Sequence, residues 1–199
     1  MEEQEKKSPE VKLNRQQSLL LYLHDIIYML AAVIVIFMLL FRGVVVSGPS
    51  MYNTLWDGDY LLVLSSVLYR NPDQGDIVIA SKQSYNDGEP IVKRVIATEG
   101  QTVDIDFNTG TVYVDGIVLE ESYIYTGTFR PEGVSFPLVV EDGCVFVMGD
   151  NRESSKDSRD PEIGQIDRRE ILGKALFLLI PGTDGGQHER DFGRFGVLK

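Results

Sequence analysis

The chain has 199 residues, 43% of them hydrophobic, and a net charge of −11, which is enough for one medium domain plus extras. Up to Arg42 five basic side chains balance five acidic ones, so the whole negative excess falls beyond that point. No Lys/Arg stripe is available to neutralise phosphates, which argues against nucleic acid as a partner; the acidity speaks for a soluble domain. The single cysteine, Cys144, lies in the apolar run Gly143-Cys144-Val145-Phe146-Val147. It allows no disulfide within the chain and no thiolate zinc site, and reads as a small buried core residue.

Residues 1–18 are polar and mixed in charge, and read as a tail. From Leu19 to Leu23 the chain is apolar, His24-Asp25 interrupts, and Ile26 to Phe41 is uncharged and almost wholly aliphatic or aromatic. As a helix, those last residues span about 24 Å, and the turn before His24 brings the length up to a hydrocarbon core of about 30 Å. A buried core helix should carry a polar stripe, and this run has none. A cleaved signal should end in small residues, whereas this run ends Leu39-Leu40-Phe41-Arg42. Residues 19–42 are therefore expected to be a retained membrane anchor. Lys6, Lys7, Lys12 and Arg15 precede it and only Arg42 closely follows, which predicts an inside tail with the rest of the chain outside.

Beyond Arg42 the period shortens. Residues 59–64, 75–80, 91–96, 102–106, 111–114, 144–148 and 173–180 are rich in β-branched and aromatic residues. Turn signals such as Asn71-Pro72-Asp73, Asn86-Asp87-Gly88, Asn108-Thr109-Gly110 and Asp115-Gly116 separate them, the pattern of a mostly β domain. We expect this domain over 43–181, with a smaller β insertion, poor in candidate chemistry, over about 99–141, and a C-terminal tail over 182–199. Short helical pieces are expected near Ser50 to Leu55 and around Asp167 to Ile171, where Asp167 could cap.

Two residues carry the candidate chemistry. A serine hydroxyl is a poor nucleophile until a neighbouring base takes its proton, and lysine can replace histidine in that role. Ser50, shortly after the anchor, is the candidate nucleophile, and Lys93 in the strand-like run Pro90 to Ile96 is the candidate base. A solvated lysine has a pKa near 10.4; burial among Ile91, Val92, Val95 and Ile96 would lower it, by up to about 3 to 5 units. Strand alternation puts Lys93 and Val95 on one face and Arg94 on the other. On their own, Ser50 would pass for a capping serine and Lys93 for an exposed strand lysine. His24 lies within or at the edge of the anchor and His188 in the Gly-rich tail Gly182 to His188, so neither stands where Lys93 does; that disfavours a Ser-His-Asp triad, and there is no His pair at ligand spacing to suggest a metal site.

Ser50-Met51-x-x-Thr54-Leu55, Gly75-Asp76-Ile77-Val78, Lys93-Arg94-Val95-Ile96-Ala97 and Gly149-Asp150-Asn151-Arg152-x-x-Ser155-x-Asp157-Ser158-Arg159 resemble, in order, the motifs of bacterial type I signal peptidases. The resemblance covers about 43–180 and follows an anchor, as in that family. It implies a single N-terminal transmembrane helix, a cytoplasmic N-terminus and an extracytoplasmic β-rich peptidase domain. The implied enzyme is a serine endopeptidase that cuts signal peptides from exported preproteins after small residues, with Ser50 as nucleophile and Lys93 as general base. No metal or cofactor is implied; the partners are signal peptides of preproteins, membrane lipid and the protein export machinery.

The last motif carries support. By resemblance, the Ser155 hydroxyl helps orient the lysine, Asp157 and Arg159 pair beneath the site, and Gly149 and Asn151 shape the turn. The Ser50 N–H is one candidate oxyanion donor. Gly48 stands where some members have a hydroxyl, so the second donor is open between Ser47 and a backbone group. Asn53 replaces a frequent proline. Leu55 and Trp56 could meet the membrane surface or pack in the core. Two other readings remain: a membrane-anchored β domain that only binds peptides, and a Ser-Lys self-cleaving regulatory peptidase, which would bring a DNA-binding domain where this chain has an anchor.

Overall fold

A computed structural model describes residues 14–183 and 190–198, with Gln17 described by its backbone alone. Lys6, Lys7, Lys12 and His188, on which orientation and the exclusion of a histidine base partly rested, lie outside the described residues. The chain divides into two units, residues 1–39 and 40–199.

The described part of the first unit is helical. Helix α1 spans Arg15–Leu40, so it begins inside the stretch read as tail and takes in the His24-Asp25 interruption without a break. Within it, Ser18–Leu40 is 23 residues of membrane-spanning length and composition, with none of its core window buried in the protein; that gives about 35 Å of apolar helix.

The second unit is mostly β, with twelve strands among the described residues. One sheet contains β1 Phe41–Val45, β2 Tyr60–Ser65, β3 Ile77–Ala80, β4 Ile91–Thr98, β9 Cys144–Met148, β10 Ile166–Asp167, β11 Ile171–Ile180 and β12 Gly196–Val197. Its order is β1-β2-β11-β3-β4-β9-β10, with β12 on β11, and the pairings are antiparallel. A smaller sheet, ordered β7-β6-β5-β8, is built from β5 Thr102–Asp106, β6 Thr111–Val114, β7 Ile117–Val118 and β8 Leu138–Val139. Asp115 and Gly116 both take positive φ between Val114 and Ile117, the geometry of a two-residue hairpin turn.

The long strands fall where the β-branched runs fell. The two-residue strands and β1 were not read, because pieces this short carry no period, and β1 follows the apolar helix without a change of composition. Asp167 caps a 3₁₀ turn over Arg168–Glu170, as its sequence suggests, in a reciprocal capping box with Glu170. The Ser50 to Leu55 stretch is a set of tight turns rather than a helix. Cys144 is free and only partly buried, at the rim of the small-sheet core and not inside it.

Strand β4 joins the apolar cores. Ile96 and Ala97 pack with Val103, Val112, Phe146 and Met148 under the small sheet. Val95 packs with Val78, Val147 and Ile163. Val92 borders a third cluster of Met51, Leu55, Leu61, Val63 and Ile79. A strand committed to three cores has little freedom to move, and Lys93 is mounted on it.

Candidate active site

Ser50 is presented by a turn that its neighbours pin. Met51 and Leu55 are fully buried, and the Leu55 and Thr54 N–H groups both donate to the Met51 carbonyl, at 2.8 and 2.9 Å. The two apolar plugs fix the turn in the core and leave Ser50 at its edge. Gly48 has φ +84°, a conformation that side chains resist; its N–H donates to Asp57 Oδ1 at 2.8 Å. That amide is therefore engaged and is not the second oxyanion donor.

Lys93 comes from β4 opposite Val78 of β3, and its Nζ lies 2.8 Å from Ser50 Oγ. Only 4% of Lys93 is exposed. Burial pushes its ammonium down to about 8; the negative charge of Asp157 works against that fall and Arg159 assists it. Cross-strand register places Lys93 on the face shared with Val78 and Val95. Arg94 turns the other way, as alternation requires.

The loop after β9 closes the site. Gly149 leaves no room for a side chain: a Cβ there would meet the Ser155 Oγ at 2.2 Å and the Ser50 carbonyl oxygen at 2.4 Å. Asn151 holds the nucleophile's backbone, its N–H donating to the Ser50 carbonyl at 3.0 Å and its Nδ2 to the Pro49 carbonyl at 3.2 Å. Asp157 and Arg159 form a bidentate pair of 2.8 and 2.9 Å, and both are buried. Asp157 Oδ2 also accepts from the Gly149 N–H at 3.0 Å. Burial pushes the Asp157 carboxyl up, but the Arg159 bonds outweigh it and hold the group below the usual carboxylate range. The Ser155 hydroxyl is buried and has no hydrogen-bond partner among the described residues; it makes no bond to Lys93 in this geometry.

Two further ion pairs were not read as site residues. Arg94 is buried and bidentate to Asp150, at 2.8 and 2.7 Å, donates to the Gly75 carbonyl at 2.8 Å, and lies 4.0 Å over the Tyr123 ring. Asp150 also accepts from the Thr54 hydroxyl, so the pair ties β4 to the Ser50 turn. Arg152 donates to the Gly149 carbonyl at 3.0 Å, to Thr128 Oγ1 at 2.7 Å and to Glu121. Thus the insertion, read as poor in chemistry, supplies Glu121, Tyr123 and Thr128 as braces. The available signal was an arginine inside an apolar strand, since a buried cation demands a buried partner.

A cleft of about 500 Å³ opens beside the pair, with Val44 to Ser50 along one wall and Glu89 to Lys93 along the other. Leu55 takes the core alternative read for it, while Trp56 is partly buried.

Residues 19–180 match the family described as signal peptidase, peptidase S26. The chain is 41% identical over 150 residues to the probable signal peptidase I-1 of Synechocystis sp., covering 71% of this chain and 72% of that one. It is 34% identical over 180 residues to signal peptidase I of Bacillus licheniformis, covering 86% and 94% respectively. A solved signal peptidase I from Enterococcus faecalis V583 aligns with a TM-score of 0.44 at 28% identity, over 52% of this chain and 96% of that one. A mostly β domain with one long apolar helix at its N-terminus is thus joined to a peptidase sequence pattern. The chain belongs to the S26 signal peptidase family, and it is a type I signal peptidase by that membership.

Proposed function

We propose that this chain removes signal peptides from exported preproteins by nucleophilic attack of Ser50, with Lys93 as its general base. The observation that carries the proposal is the 2.8 Å approach of a buried Lys93 amine to Ser50 Oγ, with a pKa brought down to about 8. A base near the working pH combines a populated neutral form with useful driving force.

Neutral Lys93 takes the Ser50 proton as Oγ bonds to the scissile carbonyl carbon, and the Ser50 N–H would donate to the oxygen that gains charge. The ammonium then gives its proton to the departing amine as the C–N bond breaks, leaving an ester on Ser50. Water, deprotonated by Lys93, attacks that ester, and the proton returns to Ser50 as the C–O bond breaks. Ser155, with its unpartnered hydroxyl packed at Gly149 beside the Ser50 carbonyl, would accept from the ammonium. The Asp157–Arg159 pair would hold the floor of the site.

The substrate would enter as an added strand. Among the described residues β1 pairs only with β2, and Ile91 to Lys93 pair with β3 while the β9 ladder starts at Arg94, which leaves a backbone edge open to a substrate strand on each wall of the cleft. Shallow pockets there would admit small side chains, the pattern of secretory signals. In this reading, 1–18 form a cytoplasmic tail, 19–42 anchor the chain in lipid, 43–181 form the extracytoplasmic peptidase domain with its 99–141 insertion, and the C-terminal tail 182–199 returns to that domain through β12. The single-pass orientation would deliver the catalytic domain to preproteins emerging from the export machinery.

Incubating the full chain in detergent with a preprotein tests this. Cleavage after a small residue should be lost in both Ser50→Ala and Lys93→Ala. Normal cleavage by either variant removes the assignment. Protease added to intact cells or spheroplasts should reach the β domain from outside; protection there would reverse the orientation.

A further inference from the structure

The family match ends at residue 180, yet the chain beyond it returns to the Ser50 turn. Asp191 accepts from the Gly193 N–H to cap a short 3₁₀ turn over Phe192–Arg194. β12 then pairs with β11, the Leu198 N–H donates to the Leu176 carbonyl at 3.0 Å, and Phe195 sits edge-on to Phe177 with ring centres 4.7 Å apart. These contacts fix the segment from both ends and deliver Arg194 between them.

Arg194 Nη1 donates to Asp59 Oδ1 at 3.0 Å, and Nη2 donates to Asp59 Oδ2 at 2.7 Å and to the Thr54 carbonyl at 3.1 Å. Its guanidinium lies 4.0 Å over the Trp56 ring. Asp59 is fully buried, and it also accepts from the Trp56 N–H at 2.8 Å and the Gly182 N–H at 2.6 Å. Thr54 is therefore held twice: at its hydroxyl by Asp150, which Arg94 fixes, and at its carbonyl by Arg194. Because the Thr54 and Leu55 amides both bond to Met51, displacement of Thr54 passes directly to the residue that follows Ser50.

We infer that Arg194 is a positioning residue for the reaction, setting the Ser50 turn through Asp59 and the Thr54 carbonyl. The inference rests on Ser50 being the nucleophile. A guanidinium suits the place: it is bidentate to the carboxylate, has a donor to spare for a carbonyl, and is flat against an indole. A lysine could reach the carboxylate but could not do all three. Loss of the arginine leaves the buried Asp59 charge without its cation and the Thr54 carbonyl without its tether. A displacement of about 1 Å at reacting atoms costs about 10²-fold in rate.

The test uses the full chain in detergent micelles with a synthetic signal-peptide substrate, and compares Arg194→Met, Arg194→Lys and Ser50→Ala with the parent. Melting curves taken in parallel express each rate per folded molecule. Methionine keeps apolar cover over Trp56 and removes every hydrogen bond. Arg194→Met should lose about 10- to 100-fold in kcat per folded molecule, with KM within about twofold because the cleft walls are untouched. Arg194→Lys should fall between it and the parent. A parental kcat per folded molecule in Arg194→Met, whatever its melting midpoint, overturns the inference and reduces the segment to a structural strap. A rise in KM that matches or exceeds the loss in kcat overturns it too, since the cleft would then be the part disturbed. Wild-type cleavage by Ser50→Ala is a separate result: it removes the nucleophile itself.

Discussion

Gly149→Ala is the smallest change with a large expected consequence. The added methyl would lie 2.4 Å from the Ser50 carbonyl oxygen and 2.2 Å from Ser155 Oγ. The serine hydroxyl can swing away, but the Ser50 carbonyl is held by the Asn151 N–H at 3.0 Å and cannot rotate freely. To reach ordinary contact of about 3.4 Å, the Ser50 backbone must retreat by about 1 Å, a shift that in well-aligned sites costs about 10²-fold. Because Ser50 Oγ is 2.8 Å from Lys93 Nζ, such a shift takes the hydroxyl out of hydrogen-bond reach. The assay is kcat/KM on a signal-peptide substrate beside a thermal melt. Gly149→Ala should lose about 100-fold while still folding, and adding Ser155→Gly should recover little, because the backbone clash persists. Activity within about threefold of the parent would refute the reasoning that Gly149 exists to let these two elements touch.

The pH profile of kcat/KM should rise about tenfold from pH 7 to pH 9 with its midpoint at about 8, since only neutral Lys93 is a base; a midpoint near 10 contradicts burial as the cause. Lys93→Met should abolish cleavage yet stabilise the fold by about 3 kcal/mol at pH 7. The sign follows from the lowered pKa: below 8 the buried ammonium costs folding energy, between 8 and 10.5 the unfolded chain holds the extra proton, and the gain fades as pH rises through that window. Urea melts at pH 7 and pH 10 check it. Arg94→Met should cost about 3 to 5 kcal/mol by stranding the buried Asp150 carboxylate, and Arg94→Met with Asp150→Leu should recover most of that loss in the same melts.

The strands of β2 to β6, β9 and β11 were legible because each is a run of β-branched and aromatic residues bounded by turn formers. Asp167 was legible as a cap because an aspartate side chain readily accepts from the first N–H groups of a helical turn, but its reciprocal partner Glu170 was not read. The start of α1 was misjudged because a helix can extend past its apolar part on local propensity, and Arg15 and Gln16 are adequate helix formers. Ser50 and Lys93 were paired from chemistry and motif order, 43 residues apart. The braces were harder. Glu121 and Arg152 sit in polar-looking loops, and only the packing of the small sheet brings them into a buried ion pair. Arg194 lies 135 residues from Asp59, and no local pattern announces a contact made by tertiary return of the chain. The Ser155 hydroxyl was assigned to the lysine by resemblance, and in this geometry it rests against Gly149 without a partner among the described residues.

Titrating Lys93 itself tests the buried-base reading most directly. With ¹³Cε-labelled lysine in the full chain in micelles, and Lys93→Met to assign the signal, the Lys93 resonance should shift with a midpoint at about 8, well below the value near 10.4 of a free lysine in water. A Lys93 midpoint near 10.4 would contradict a neutral amine waiting at Ser50.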